Sequence, residues 1–152
     1  MENDEMFMRQ AIKEAEKAAK INEVPVGAVV VCDGEIVSAE FNTRETDKNA
    51  LCHAEIKAIN AACKKLGGWR LHKCDIYVTL EPCPMCAGAI INSRISAVIY
   101  GAADKERGCF GSVINMAQMP LGANPAVTAG VLAEECGGLL TAFFDGVRKN
   151  IS

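Results

Sequence analysis

The sequence has no apolar run near the roughly 20 residues that a membrane span requires. It has no internal repeat, no low-complexity tract and no linker-like stretch. The 152 residues are therefore expected to form one domain, residues 1–152, around one core. A positive excess is missing too: Lys plus Arg number 16 against 19 Asp plus Glu, a net charge of −3. Such a chain exerts no overall pull on nucleic acid, so any RNA contact must come from a local basic patch. The opening "MENDEMFMRQ" is acidic and polar. It lacks the basic start and apolar centre of a signal peptide, and the expected location is the cytoplasm. Histidine occurs only twice, as His53 and His72.

What is present is apolar: 50% of residues are hydrophobic, enough for a sizeable core. Eight cysteines accompany them. In a reducing compartment these read as metal ligands, catalytic groups or core residues, not as a disulfide framework. Helical and strand patterns alternate, the mark of a layered α/β domain. A helix is predicted over about 4–20, with Phe7, Ala11, Ile12, Ala15, Ala18 and Ala19 as its apolar stripe. "GAVVVC" reads as a buried strand, Asp33-Gly34 as a hairpin turn, and "EIVSAEF" as the returning strand. A polar loop over 42–49 precedes a helix starting near His53. Ile56, Ile59, Ala62, Cys63 and Leu66 are its expected inner face, and Gly67-Gly68 its end. "DIYVTL" and "AVIYG" read as strands flanking a short helix over 83–92, and that crossover predicts a parallel pair. Residues 101–126 read as Gly-rich loop with one helical turn, and a last helix is expected over about 132–150.

The chemistry concentrates in His53-Ala54-Glu55 and, 30 residues on, Pro82-Cys83-Pro84-Met85-Cys86. This is H-x-E followed by P-C-x-x-C, the signature of zinc deaminases. Zinc accepts imidazole and thiolate in a tetrahedron, and three protein ligands leave the open corner of a catalytic site. Cys83 and Cys86, three apart at a helix start, can grip one ion. The helix N-terminus favours their thiolates. Glu55 lies about 200° around an ideal helix from His53, which suits a proton shuttle and not a fourth ligand. A redox pair, or a structural site completed by His72, Cys74 or Cys52, is the plainer alternative. Cys32, Cys63, Cys52, Cys74, Cys109 and Cys136 default to core, and His72 to a surface turn.

"PVGAVVV", "HAEIKAI", "LEPCPMCAGAI", "SRISAVIYGA" and "FGS", in that order, resemble the bacterial tRNA adenosine deaminases, within the zinc-dependent cytidine/deoxycytidylate deaminase family. The resemblance runs from the first helix to "LLTAFF". It implies a three-layer α/β/α fold with a mixed five-stranded sheet, and a homodimer. It implies one zinc ion per subunit on His53, Cys83 and Cys86, with Glu55 as general acid/base. Asn42 would hydrogen-bond the flipped base, and the Ala54 N–H would donate to it. Val26 and Gly27 would wall the pocket, with the glycine allowing close approach. Asp104 would lie beside the RNA backbone. The implied reaction is hydrolytic deamination of adenosine to inosine at the first anticodon position. The implied partner is a tRNA anticodon stem-loop; neither DNA nor a membrane is expected.

The chain departs from the family's usual Asn-His-Arg at Asn124, Pro125 and Ala126. It also has Ala50, Leu51 and Cys52 in place of Pro-Thr-Ala, and Glu106 between Lys105 and Arg107. These changes weaken the expected phosphate-binding surface. The same zinc chemistry on a free nucleobase, nucleoside or related small amino-heterocycle of guanine or cytosine type, and a zinc-stabilised inactive scaffold or partner subunit, are the competing readings. A basic patch of Lys105, Arg107, Arg148 and Lys149 at the zinc mouth would favour RNA.

Overall fold

The computed structural model describes residues 2–151, with side chains described over 3–147. Helix α1 (Glu2–Lys20) leads into a hairpin of β1 (Gly27–Cys32) and β2 (Glu35–Phe41). Its turn residues Asp33 and Gly34 both have positive φ, 52° and 78°. That is the backbone of a type I′ turn, whose twist suits a tight hairpin. Helix α2 (Ala54–Leu66) follows, then β3 (Cys74–Leu80), α3 (Pro84–Asn92) and β4 (Ala97–Ala102). A 3₁₀ turn over Met116–Gln118, a short β5 (Ala126–Thr128) and α4 (Ala133–Ile151) complete the chain.

The five strands lie in the order β2-β1-β3-β4-β5. β1 is antiparallel to β2 and β3, while β3/β4 and β4/β5 are parallel. The expected mixed sheet and parallel crossover are both present. β5 was hidden in the sequence because it is three residues long and starts inside a Pro/Gly-rich loop.

Alternation along the strands builds two cores. Ala28, Val30, Ile76 and Val78 face α2 and α3. Val29, Val31, Tyr77 and Ile99 face the other way, with Phe7, Met8 and Ala11 of α1 and Cys136 of α4. Helices thus cover both faces of the sheet.

Helix α2 is turned only part-way from its expected facing: Ala62 is in the core and Ile59 and Cys63 pack against it as expected, but its most buried line runs through alanines. Its buried residues are Ala54, Glu55, Ala58 and Ala62. Ile59 and Cys63 are only partly buried, and Leu66 is 45% exposed. An alanine stripe lets the helix axis approach the sheet closely. Ser38 Oγ donates to the Ala58 carbonyl (2.7 Å) across that gap. Gly67 (φ 75°) caps the helix in the left-handed conformation, its N–H on the Cys63 carbonyl. All eight cysteines are free thiols. Cys74, Cys109 and Cys136 are buried, Cys32, Cys52 and Cys63 half-buried, and His72 is exposed in the turn before β3.

Candidate active site

Two helix starts meet over one end of the sheet. His53 is the N-cap of α2 and Cys83 the N-cap of α3, both with extended backbone. Pro84 occupies the first turn of α3, where its fixed φ suits a helix start and its missing N–H costs nothing. This sets Cys86 three residues beyond Cys83, facing the same point. His53 Nδ1 lies 3.6 Å from Cys83 Sγ and 3.5 Å from Cys86 Sγ. Donors about 2.0–2.1 Å and 2.3 Å from one tetrahedral zinc ion stand roughly 3.6 Å apart. The imidazole and two thiols therefore fit zinc in spacing and in chemistry. They form the one such metal-ligating group among the described residues.

The electrostatics follow from the crowding. The Cys86 thiol hydrogen-bonded to Cys83 holds the Cys83 thiol down to about 3, against the opposing effect of burial. The same hydrogen bond pushes the Cys86 thiol up. His53 is raised, first by its hydrogen bond to Cys83. Burial pushes the Glu55 carboxyl up to about 7; it is only 4% exposed.

A cavity of about 130 Å³ opens beside this cluster. His53, Ala54, Glu55 and Cys83 form its metal-facing side, and Val24, Val26, Asn42 and Leu80 line it further. Arg44, Glu81, Asp104 and Arg107 are also in its wall. Asn42 is buried, and its side chain is already engaged. Its Nδ2 donates to the Val24 carbonyl (3.2 Å), and its Oδ1 accepts from the Arg44 N–H (3.2 Å). One amide hydrogen and one lone pair remain for a ligand. Ala54 opens α2, so its N–H has no acceptor within the helix.

Residues 1–102 match the cytidine and deoxycytidylate deaminase zinc-binding region. The chain belongs to that deaminase family. It is 51% identical over 150 residues to a Bacillus subtilis tRNA-specific adenosine deaminase, covering 98% of this chain and 93% of that protein. A solved structure from studies of A-to-I editing by tRNA:A34 deaminases superposes with a TM-score of 0.86 at 40% identity, covering 89% of this chain and 99% of that one. A Bacillus subtilis guanine deaminase structure is more distant: TM-score 0.62 and 32% identity over 77% of this chain and 85% of that one.

Against this deaminase frame, the residues singled out in the sequence mostly converge. Val26, Asn42, His53, Ala54, Glu55, Cys83 and Asp104 line one cavity, and Cys86 completes the metal group behind it. Gly27 is placed otherwise. A Cβ there would stand 2.0 Å from the Ala11 carbonyl oxygen and 2.6 Å from the Ala15 nitrogen. Its bare face serves contact with α1, not approach of a base. The departing segments also lie elsewhere. Asn124 Nδ2 donates to the Ala117 and Met119 carbonyls, Pro125 is buried, and Ala126 begins β5. Leu51 and Cys52 line a separate groove with Ile56, Ile59 and Cys63. Of the expected basic patch, Arg107 reaches the cavity and Lys105 is exposed on the same loop. The side chains of Arg148 and Lys149 lie outside the described residues.

Sequence reasoning missed Arg44 and Glu81. Arg44 had a faint signal, two residues after Asn42 in a polar loop. Glu81 had a clearer one: a carboxylate closing a buried strand beside Pro82 and Cys83, where a charge needs partners.

Proposed function

We propose that this chain converts adenosine to inosine at the wobble position of tRNA by hydrolytic deamination, with one zinc ion per subunit on His53, Cys83 and Cys86. The observation that carries the chemistry is the buried Glu55 carboxyl in the cavity wall beside the imidazole and two thiols. A scaffold would need the ligands but not that carboxyl. The RNA substrate is supported by the similarity, across nearly the whole chain, to proteins named for tRNA adenosine.

Bound zinc would supply Lewis acidity, lowering the pKa of a water toward about 7. Glu55 accepts a proton from the attacking water and delivers it to the adenine ring nitrogen. The water oxygen bonds to C6, and C6 becomes tetrahedral. Glu55 then carries the second proton to the amino group, which leaves as ammonia. A carboxyl that burial raises into this range can both accept and release the proton. Asn42 and the Ala54 N–H orient the base, Val26 packs against it, and Asp104 lies where the flanking backbone passes. Extruding the base costs roughly a few kcal/mol, least in an unpaired loop. The groove formed by Leu51 ahead of α2, Ile56 and Ile59 of α2 and Ala89 of α3 supplies an apolar face for the homodimer.

The test is zinc-loaded protein with an anticodon stem-loop bearing adenosine at its first position. Mass spectrometry is expected to show the gain of about one dalton on conversion to inosine, and none with Glu55→Ala. Failure of the wild type, with zinc present, would move the assignment to a free base or nucleoside.

A further inference from the structure

Glu81 is 1% exposed at the end of β3, yet its carboxylate meets no cation within ion-pair distance among the described residues. Four donors from one loop surround it instead. Oε1 accepts from the Asp104 N–H (3.1 Å) and the Ser112 hydroxyl. Oε2 accepts from the Phe110 N–H (3.0 Å) and the Ser112 N–H (3.1 Å). Gly108 lies flat on the same carboxylate, where a Cβ would stand 2.3 Å from Glu81 Cδ and 2.5 Å from the Asp104 carbonyl oxygen. Asp104 in turn accepts the N–H groups of Glu106 and Arg107 on Oδ1 (3.1 Å each). The loop is therefore wound around two carboxylates, and it brings Asp104 and Arg107 to the cavity.

A buried carboxylate without a cation is a poor choice for core stability, since an apolar side chain avoids the desolvation cost. What it provides is geometry: charge-assisted hydrogen bonds are short and directional, and here all of them end on one loop. We propose that Glu81 is a positioning residue for substrate recognition, pinning residues 104–112 so that Asp104 and Arg107 meet the nucleotides flanking the reacting base. This role rests on the RNA deaminase reading above. It predicts an effect on substrate capture more than on the chemical step, because neither Glu55 nor any metal ligand lies on the pinned loop over 104–112.

Glu81→Gln keeps shape and volume but turns one acceptor oxygen into a donor facing two donors. With the stem-loop as substrate, KM is expected to rise about tenfold, with kcat within about threefold and zinc content unchanged. Hydrogen exchange at the Asp104, Phe110 and Ser112 amides is expected to accelerate about tenfold, a readout independent of turnover. Ser112→Ala, on the exposed rim, removes one donor without altering the buried carboxylate and is expected to raise KM by a smaller factor. Unchanged KM in both variants, or a loss that tracks zinc loss, would overturn the assignment to Glu81. A wild type that makes no inosine would instead bring down the RNA reading, and this role with it.

Discussion

His53 and Glu55 stand two residues apart at the start of one helix, and that offset divides their work. His53, at the N-cap, turns Nδ1 to the two sulfurs; Glu55, within the first turn, is sealed against the cavity. Cys86→Ala is expected to abolish stoichiometric zinc binding, read by metal analysis of purified protein, because two protein ligands rarely hold the ion. Glu55→Gln is expected to keep its zinc while inosine formation falls by about 10²-fold or more. The clustering of His53, Cys83 and Cys86 beside Glu55 was legible in the sequence because few residue types bind zinc and their spacing is local. Glu81 was not, since its partners lie at 104–112 and appear only when the loop folds back. Gly27 was singled out for the wrong reason: a sequence shows that a side chain is missing, not which neighbour requires it.

Among the elements, the four helices and strands β1 to β4 were legible almost to their ends, while the three-residue β5 was not. The facing of α2 was legible only in part: Ala62, Ile59 and Cys63 were expected at the core, Ala54 and Ala58 were not. Isoleucines outrank alanines in any apolar count, yet the alanines face the sheet because close approach requires small residues. The contact of α1 with β1 is of the same kind. Gly27→Ala drives a methyl into helix backbone that cannot swing aside. It is expected to cost about 1–3 kcal/mol, seen as a lower melting temperature. The loop over 42–49 depends on Glu23, which is 1% exposed. Its carboxylate accepts the Glu45 N–H (3.1 Å) and the Thr46 N–H (2.6 Å). Burial pushes this carboxyl up, but the hydrogen bonds from Thr46 and Glu45 and the charge of Arg44 outweigh it and hold it below its usual value. A lowered carboxyl stabilises the fold above the unfolded pKa of about 4.3, and that contribution disappears as pH falls through the lower folded value. The loop is therefore expected to hold through mildly acidic pH and to loosen only as pH falls through the lowered value of the folded Glu23 carboxyl. Proteolysis at Arg44 or Lys48 would report this, and Glu23→Gln should bring the same loosening to neutral pH.

For the whole molecule, the groove lined from α2 and α3 is the face proposed above for a homodimer. Leu51 is 57% exposed beside Ile56 and Ile59, and Leu51→Glu is expected to shift a dimer toward monomer in sedimentation velocity. The cavity has two lips built alike. A loop over 42–49 presents Arg44 and is fastened by Glu23. A loop over 103–112 presents Arg107 and is fastened by Glu81. Neither fastening residue comes from the other lip, and neither is a metal ligand. Each lip can therefore be exchanged as a cassette, acquiring a new preference for what surrounds the reacting base while the zinc-binding residues and Glu55 stay untouched. A fold organised this way can change its substrates over evolutionary time without reinventing its reaction.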